Sequence, residues 1–417
     1  MKNVFVAVGM LAILLMPQPS DAAQDTIYAY RNLLLTNAEA DAVISAPDVN
    51  LAQAQLQENL ALLSAARAAS GPAVTAGYVE APQGGSPGGT IAQRLTTVGA
   101  QYVLGDLLAY APLVAQAQAN LDAARLGYED AQRTERIHVI ALYYGALAAR
   151  ATLDARIHAL TNAQADQSAA QKRFSAGAAP RLDVVRAQVA VAKSTADLEN
   201  ARAVAGNAGE ALAVETGTSK SALQSLRAQP ADAYAPAGDA VTTALRRRPE
   251  IGAAQASARA ARAAVQIAKR AIMPTITVSA GYTTGVDSGV RISGPTASLQ
   301  ALLPLGGAAR DRVAAERARG RQADARLASI ERRIKLEVSS ALRSYAATTR
   351  ASAAATAARE AAARELGATE VGYVNGASSS LEISAARQTY TQARVDELHA
   401  LYARAQARAT LALLIGE

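Results

Sequence analysis

The chain carries one pattern twice, with about 200 residues between the copies. Pro47-Asp48-Val49 returns as Pro249-Glu250-Ile251, and Gly77-Tyr78 returns as Gly281-Tyr282. A repeat longer than a solenoid unit indicates a duplicated domain with internal pseudo-symmetry. The pattern continues through four pairs at one constant spacing: Phe174 and Tyr373, Gly177 and Gly376, Leu182 and Leu381, and Asp183 and Glu382.

Each copy contains two segments with strand periodicity. Residues 275–282 alternate without error between Ile, Val, Ala or Tyr on one side and Thr, Ser or Gly on the other. Residues 94–104 and 296–303 alternate in the same way, and residues 73–80 do so more weakly. Period-two alternation predicts strands. Their length suits a tilted transmembrane β-strand, although alternation alone also fits a small soluble sheet with one wet face.

Each copy also contains a very long helical segment. Nothing stops a helix from about residue 113 to 174, or from 308 to 373, and helices of some 60 residues would be about 90 Å long. Each ends in a short turn, around Gly177 and around Gly376, and a second helix then runs back antiparallel. Such lengths predict coiled-coil-like packing or a helical tube.

These signals divide the chain into a signal peptide (1–22), a first repeat (23–216), a linker (217–238) and a second repeat (239–417). We predict helices over 47–69, 110–174 and 181–215 in the first repeat, and over 239–272, 308–373 and 380–415 in the second. We predict strands over 73–80, 94–104, 275–284 and 291–303.

The N-terminus predicts export. Lys2, a short apolar run from Val4 to Met16 and the small-residue site Ser20-Asp21-Ala22 are typical of a cleaved secretory signal, with a retained anchor as the alternative. The chain has no cysteine, which excludes disulfides, thiolate metal sites and a lipidated N-terminal cysteine. No later run of 18 apolar residues predicts a transmembrane helix, so a membrane span would need a closed β-barrel.

Composition and charge narrow the class further. The chain has no Trp and two Phe, and its apolar content is mainly Ala, which suits extended helix walls better than a thick globular core. The net charge of +7 is spread along the helices among acids, as in solvated helix faces. Nucleic-acid binding would need a clustered basic face, and export argues against that partner.

Four strands cannot close a barrel, and open sheet edges do not survive in lipid. If the strands face the membrane, several chains must contribute to one barrel. The sequence therefore predicts a homo-oligomer that contacts lipid and whose helices extend from the membrane as a long tube.

Together these features resemble the TolC-like outer-membrane efflux proteins. The resemblance covers nearly the whole mature chain and is carried by the duplicated helix starts at Pro47 and Pro249, the strand pairs, and the aromatic-x-x-Gly turns followed by Leu-Asp or Leu-Glu. It implies a mainly α fold with a membrane β-barrel portion: a homotrimer with about twelve strands in one barrel and a periplasmic α-barrel tunnel. It also implies docking to a periplasmic adaptor and an inner-membrane pump of the RND or ABC type, and a location in the outer membrane.

The resemblance places the helix-hairpin tips at the gate and adaptor contact. Asp183 and Glu382 are candidates for an acidic constriction, or else ordinary first-turn helix acids favoured by the macrodipole. Tyr78, Tyr102 and Tyr282 are candidates for an aromatic girdle, or else ordinary strand tyrosines. The tip candidates are Phe174, Gly177, Leu182, Asp183, Tyr373, Asn375, Gly376, Leu381 and Glu382.

No catalytic or cofactor site is predicted. His138, His158 and His399 have no neighbour at metal-ligand spacing, and the P-loop-like Gly217-Thr218-Ser219-Lys220-Ser221 lacks its second glycine. The leading hypothesis is a non-enzymatic exit duct for small molecules or ions. The alternative is a soluble periplasmic helical-hairpin scaffold resembling an adaptor.

Overall fold

A computed structural model describes residues 35–416 apart from residues 70, 72, 85–89, 219–225, 227–238, 288–289 and 304–306. The predicted signal peptide, most of the predicted linker and the tips of both strand-connecting loops lie outside the described residues. The elements in chain order are α1 (Leu35–Ser45), α2 (Pro47–Ala68), β1 (Ala73–Gly84), β2 (Thr90–Val103), α3 (Leu104–Ser175), α4 (Arg181–Thr216), α5 (Ala240–Arg247), α6 (Pro249–Arg270), β3 (Thr275–Asp287), β4 (Val290–Leu302), α7 (Ala308–Val374) and α8 (Ser380–Ile415).

Proline breaks the first helical segment of both repeats at the same place. Arg248 is extended, with φ −68° and ψ 125°, because the ring of Pro249 disfavours the α conformation before it. The single helix predicted over 239–272 is therefore wrong: it is α5 and α6. Ala46 is extended in the same way before Pro47 and separates α2 from α1, a helix that the sequence did not predict.

Several other helices and strands begin or end at residues that differ from the predicted ones. α3 begins at Leu104 rather than at 110, and it continues through Pro112. The first hairpin is longer than predicted, because pairing continues to Gly84 and Thr90. The second repeat's strands run to Asp287 and from Val290 to Leu302.

The strands form one antiparallel sheet in the order β1-β2-β3-β4. Each repeat contributes one hairpin, and the pairing of β2 with β3 joins the repeats, with Gly99 opposite Gly281. β1 and β4 are the edges of the sheet.

The helices pack as a single layer whose order changes along its length. Near the sheet the order is α2, α3, α6, α7; ion pairs from Arg259 to Asp122 and from Arg262 to Asp324 join the last three. Towards the turns it is α4, α3, α8, α7. Among the described elements, α7 therefore lies at one edge throughout, while α2 and then α4 form the other.

Two small cores lie where the layer order changes. In one, α1 packs against Val139, Ile140 and Tyr143 of α3; in the other, α5 packs against Ile334 and Val338 of α7. Tyr143 and Ile334 are fully buried, and burial of each such side chain contributes roughly 1.5–3 kcal/mol. These matching cores fix each proline-broken helix pair to the long helix of its own repeat.

Candidate functional site

One face of the sheet is apolar and exposed. The register sets Val98 opposite Tyr282, Ala100 opposite Ala280, and Tyr102 opposite Val278 across the seam between the repeats. Because side chains alternate along a strand, Val74 of β1 and Leu299 of β4 continue the same face, and both are more than 70% exposed, at 81% and 75%. We name this surface the apolar sheet face.

The opposite face consists mainly of hydroxyl side chains and glycine, and it is tied together across the strands. The hydroxyls of Thr97 and Thr283 lie 3.0 Å apart, and those of Ser279 and Ser298 lie 2.7 Å apart. This face is half-buried along β3, whereas the apolar residues of the same strand are exposed. A sheet in water normally buries its apolar side and exposes its polar side, so this arrangement is inverted.

The three candidate girdle tyrosines lie on the apolar sheet face. Tyr78 and Tyr282 are more than half exposed and lie near the middle of β1 and β3, whereas Tyr102 lies near the helix end of β2. The Tyr282 hydroxyl is 2.8 Å from the Ser293 hydroxyl on the same face. The tyrosines therefore lie at the helix end and near the middle of the apolar sheet face.

The two helix hairpins end in turns of the same construction. Gly177 and Gly376 adopt left-handed backbones with φ of 71° and 75°. In the first turn the N–H of Ala178 donates to the carbonyl of Arg173, and in the second the N–H of Ala377 donates to that of Gly372. These bonds satisfy the last helical carbonyls, and the positive φ favours glycine.

The two candidate acids have partners at the helix starts. The Glu382 carboxylate accepts a hydrogen bond of 2.6 Å from the backbone N–H of Ser379, whose side chain accepts in return from the N–H of Glu382. This capping box lowers the pKa of Glu382. Asp183 accepts from the Ser380 hydroxyl at 2.6 Å and lies 3.7 Å from Arg186.

The two hairpin tips touch each other within one chain. Besides the bond between Ser380 and Asp183, the Arg173 guanidinium lies 4.5 Å from the ring centroid of Tyr373. Such a cation–π contact contributes about 0.5–1 kcal/mol at an exposed site. The remaining tip candidates Phe174, Leu182, Asn375 and Leu381 are exposed.

Arg387 forms a link that the sequence did not single out. From α8 it bonds Asp166 of α3 and, at 3.0 Å, Glu370 of α7, two to three helical turns above the tips. Burial lowers the pKa of Arg387, but the bonds to both carboxylates outweigh it and the pKa is raised. Arg387 is one of many arginines in helical segments, and no sequence signal identifies its partners.

The histidines do not converge. His138 lies 3.6 Å from Glu215, His399 is 3.1 Å from the Thr152 hydroxyl, and His158 is exposed. Within the described residues, no three His, Asp or Glu side chains form a potential metal site. None of the described helices has the length and apolar character needed to cross a membrane.

Comparison with known proteins agrees with the duplicated architecture. The family model described as outer membrane efflux protein matches residues 40–218 and again residues 240–417. The curated protein CyaE of Bordetella pertussis is 29% identical over 413 residues, covering 95% of this chain and 85% of that protein. Two crystal structures share the fold: a membrane protein from Pseudomonas aeruginosa (TM-score 0.80, 20% identity, 92% of each chain) and the Campylobacter jejuni CmeC outer membrane channel (TM-score 0.80, 16% identity, 100% of this chain and 94% of that one).

Proposed function

This chain belongs to the outer membrane efflux protein family, and on that premise we propose that it is the exit duct of a tripartite efflux or secretion system. In this proposal the sheet crosses the outer membrane and the helices extend into the periplasm. Small molecules or ions pass from the periplasm and an inner-membrane pump to the outside. The duct conducts passively, and the pump supplies the energy.

The apolar sheet face is the observation that carries the proposal. Exposure of Val74, Val98 and Leu299 to water would be unfavourable by about 25 cal/mol per Å² of apolar surface. In a bilayer the same side chains contact lipid, and the hydroxyl-rich face lines a water-filled path. On that face the paired hydroxyl groups hydrogen-bond to each other across the strands, and the glycines between them add no side chain that would narrow the path.

The free edges support a ring of several copies. The helix layer ends at α7 on one side and at α2 and then α4 on the other. The sheet ends at β4 on the α7 side and at β1 on the opposite side. A head-to-tail contact would join these unlike edges, and such contacts form closed rings when the rotation allows. Apolar side chains stand exposed on both edge helices, among them Val185 and Val189 on α4 and Leu336 and Val371 on α7. With three copies, the ring would contain about twelve strands and twelve helices in cross-section.

The hairpin tips are the proposed site of adaptor docking and gating. Phe174, Leu182 and Leu381 are apolar and at least 40% exposed at the end of the molecule farthest from the sheet. Apolar clusters at an exposed end favour a protein partner, here a periplasmic adaptor linked to a pump of the RND or ABC type.

Opening would require the hairpins to separate at the links between them. The contacts that join the tips are those of Arg173 with Tyr373, Ser380 with Asp183, and Arg387 with Asp166. Each is partly exposed and individually weak, so an adaptor that binds the open form better would shift the population. The capping bonds of Glu382 and Ser379 lie within one helix and would survive such a motion.

Fractionation and native mass spectrometry test the duct against the soluble scaffold alternative. We expect the exported protein in the outer-membrane fraction, extractable only with detergent, and we expect a complex of three copies in the mass spectrum. A monomer recovered in the periplasmic fraction without detergent would support the scaffold and reject the duct.

A further inference from the structure

Cations collect where the helices meet the sheet. Arg67 lies in the last turn of α2, Lys269 and Arg270 lie in the last turn of α6, and Arg310 and Arg312 lie in the first turns of α7. All three helices adjoin a strand directly or through a short loop. We name these five residues the basic collar.

The collar cations are not explained by contacts within the chain. Arg67, Lys269, Arg310 and Arg312 are exposed, and none forms an ion pair with another residue that the structure describes. The helix dipole favours cations at the C-terminal ends of α2 and α6, but it opposes Arg310 and Arg312 at the N-terminal end of α7. The helix dipole therefore does not account for the whole group.

The net positive charge is confined to one end of the sheet. The segments at the helix end contain the five collar cations and two acids, Asp106 and Asp311. At the loop end, Arg94 and Arg291 are matched by Glu80 and Asp287. The sheet therefore has a basic helix end and a neutral loop end.

Exposed apolar side chains accompany the collar. Ile272 and Met273 follow α6 and are 37% and 45% exposed, and Leu303 directly follows β4 and is 56% exposed. The Arg270 guanidinium donates to Met273 Sδ at 3.4 Å. Apolar groups beside cations are typical of a lipid–water boundary, where long basic side chains extend towards the head groups; the wall of an aqueous path does not need them.

We infer that the basic collar binds the anionic phospholipid head groups of the leaflet on the helix side of the membrane. The inference rests on the proposed membrane insertion of the sheet. The collar is continuous with the apolar sheet face, so lipid chains on that face would bring their phosphates to the level of Arg67, Lys269 and Arg310. Each cation near a membrane surface adds to the attraction for anionic lipid, and salt screens this attraction.

Spin-labelled lipids provide the test. The full chain is reconstituted in phosphatidylcholine vesicles, and electron paramagnetic resonance measures the motionally restricted fraction of spin-labelled phosphatidylglycerol and phosphatidylcholine. We expect the protein to prefer the anionic probe several-fold at low salt. The variant Arg67→Gln/Lys269→Gln/Arg310→Gln should lose most of this preference. Each removed cation should reduce the affinity for the anionic probe by roughly fivefold or less.

The control variant is Arg321→Gln/Arg326→Gln/Lys335→Gln, which removes three exposed cations of α7 farther from the sheet. It should keep the wild-type preference. Equal restriction of both probes by the inserted wild-type protein would overturn the lipid site and leave the duct intact. If both variants lost the preference for the anionic probe equally, the preference would come from net charge and not from the basic collar. If the wild-type protein restricted neither probe, membrane insertion itself would be rejected.

Discussion

Gly99 and Gly281 face each other across the seam between the two repeats, and neither position has room for a side chain. A Cβ on Gly99 would lie 2.8 Å from the carbonyl oxygen of Ala280, and one on Gly281 would lie 2.9 Å from that of Val98. Both glycines lie on the hydroxyl-rich face. The strands therefore approach closely on this side, as in a sheet that is concave towards the path it lines.

Gly99→Val should prevent assembly, because its side chain would have to displace the backbone of β3. The matched control is Gly77→Val, on the same face of β1, where a Cβ would meet nothing within 4 Å. We expect the control to form the wild-type oligomer and Gly99→Val to remain monomeric or aggregate. Size-exclusion chromatography in detergent with light scattering measures this, and normal assembly of Gly99→Val would refute the close-packed seam.

Arg387→Gln should favour the open form of the tips. The side chains of Asp166 and Glu370 are 42% and 46% exposed, so solvent limits the loss to about 1 kcal/mol, or roughly a fivefold change in the open population. Channel recordings should show longer openings, with a smaller difference at high salt. Arg364→Gln removes an exposed arginine of α7 and should behave as wild type; identical openings in Arg387→Gln would exclude this link from gating.

A disulfide between the tips should hold the duct closed. In Asp183→Cys/Ser380→Cys, the thiols replace groups that now lie 2.6 Å apart, and the chain has no native cysteine to compete. Oxidation should abolish export, and reduction should restore it. Thr97→Cys/Thr283→Cys joins strands that are already paired and should export in both states. Full export by the oxidised tip variant would contradict opening between these hairpins.

Glu135→Gln should stabilise the protein at neutral pH. Burial, and then the neighbouring Glu215 carboxylate, raise the pKa of Glu135; His138 lowers it and Asp48 raises it. Since the folded-state pKa is above the unfolded value, wild-type stability falls as pH rises through the window between them. Thermal melts followed by circular dichroism should show a higher Tm for the variant at pH 8, and the difference should disappear towards pH 4. A constant difference would point to packing instead.

The repeat and the strand faces could be predicted from sequence because both are local patterns. Tyr282 and Val278 alternate with Thr277 and Ser279, and period two alone assigns them to one face. The helix break at Arg248 could also be predicted from the sequence, because Pro249 disfavours the helical conformation in the residue before it.

The links between distant elements could not be predicted. Arg387 bonds Asp166, 221 residues away, and nothing local distinguishes it from other helical arginines. The meeting of Gly99 with Gly281 depends on the register between the repeats, which neither hairpin determines alone. α1 was missed because its fixed position comes from contacts of Leu35, Ala38 and Ala42 with α3 and α4.

Single-channel recording in planar lipid bilayers tests the central claim most directly, because it asks whether sheets from several copies enclose a water-filled path through lipid. The purified oligomer should insert and produce discrete, ohmic conductance steps of uniform size, and Gly99→Val should produce none. A correctly folded oligomer that inserts into the bilayer without conducting, even with Arg387→Gln, would contradict the account.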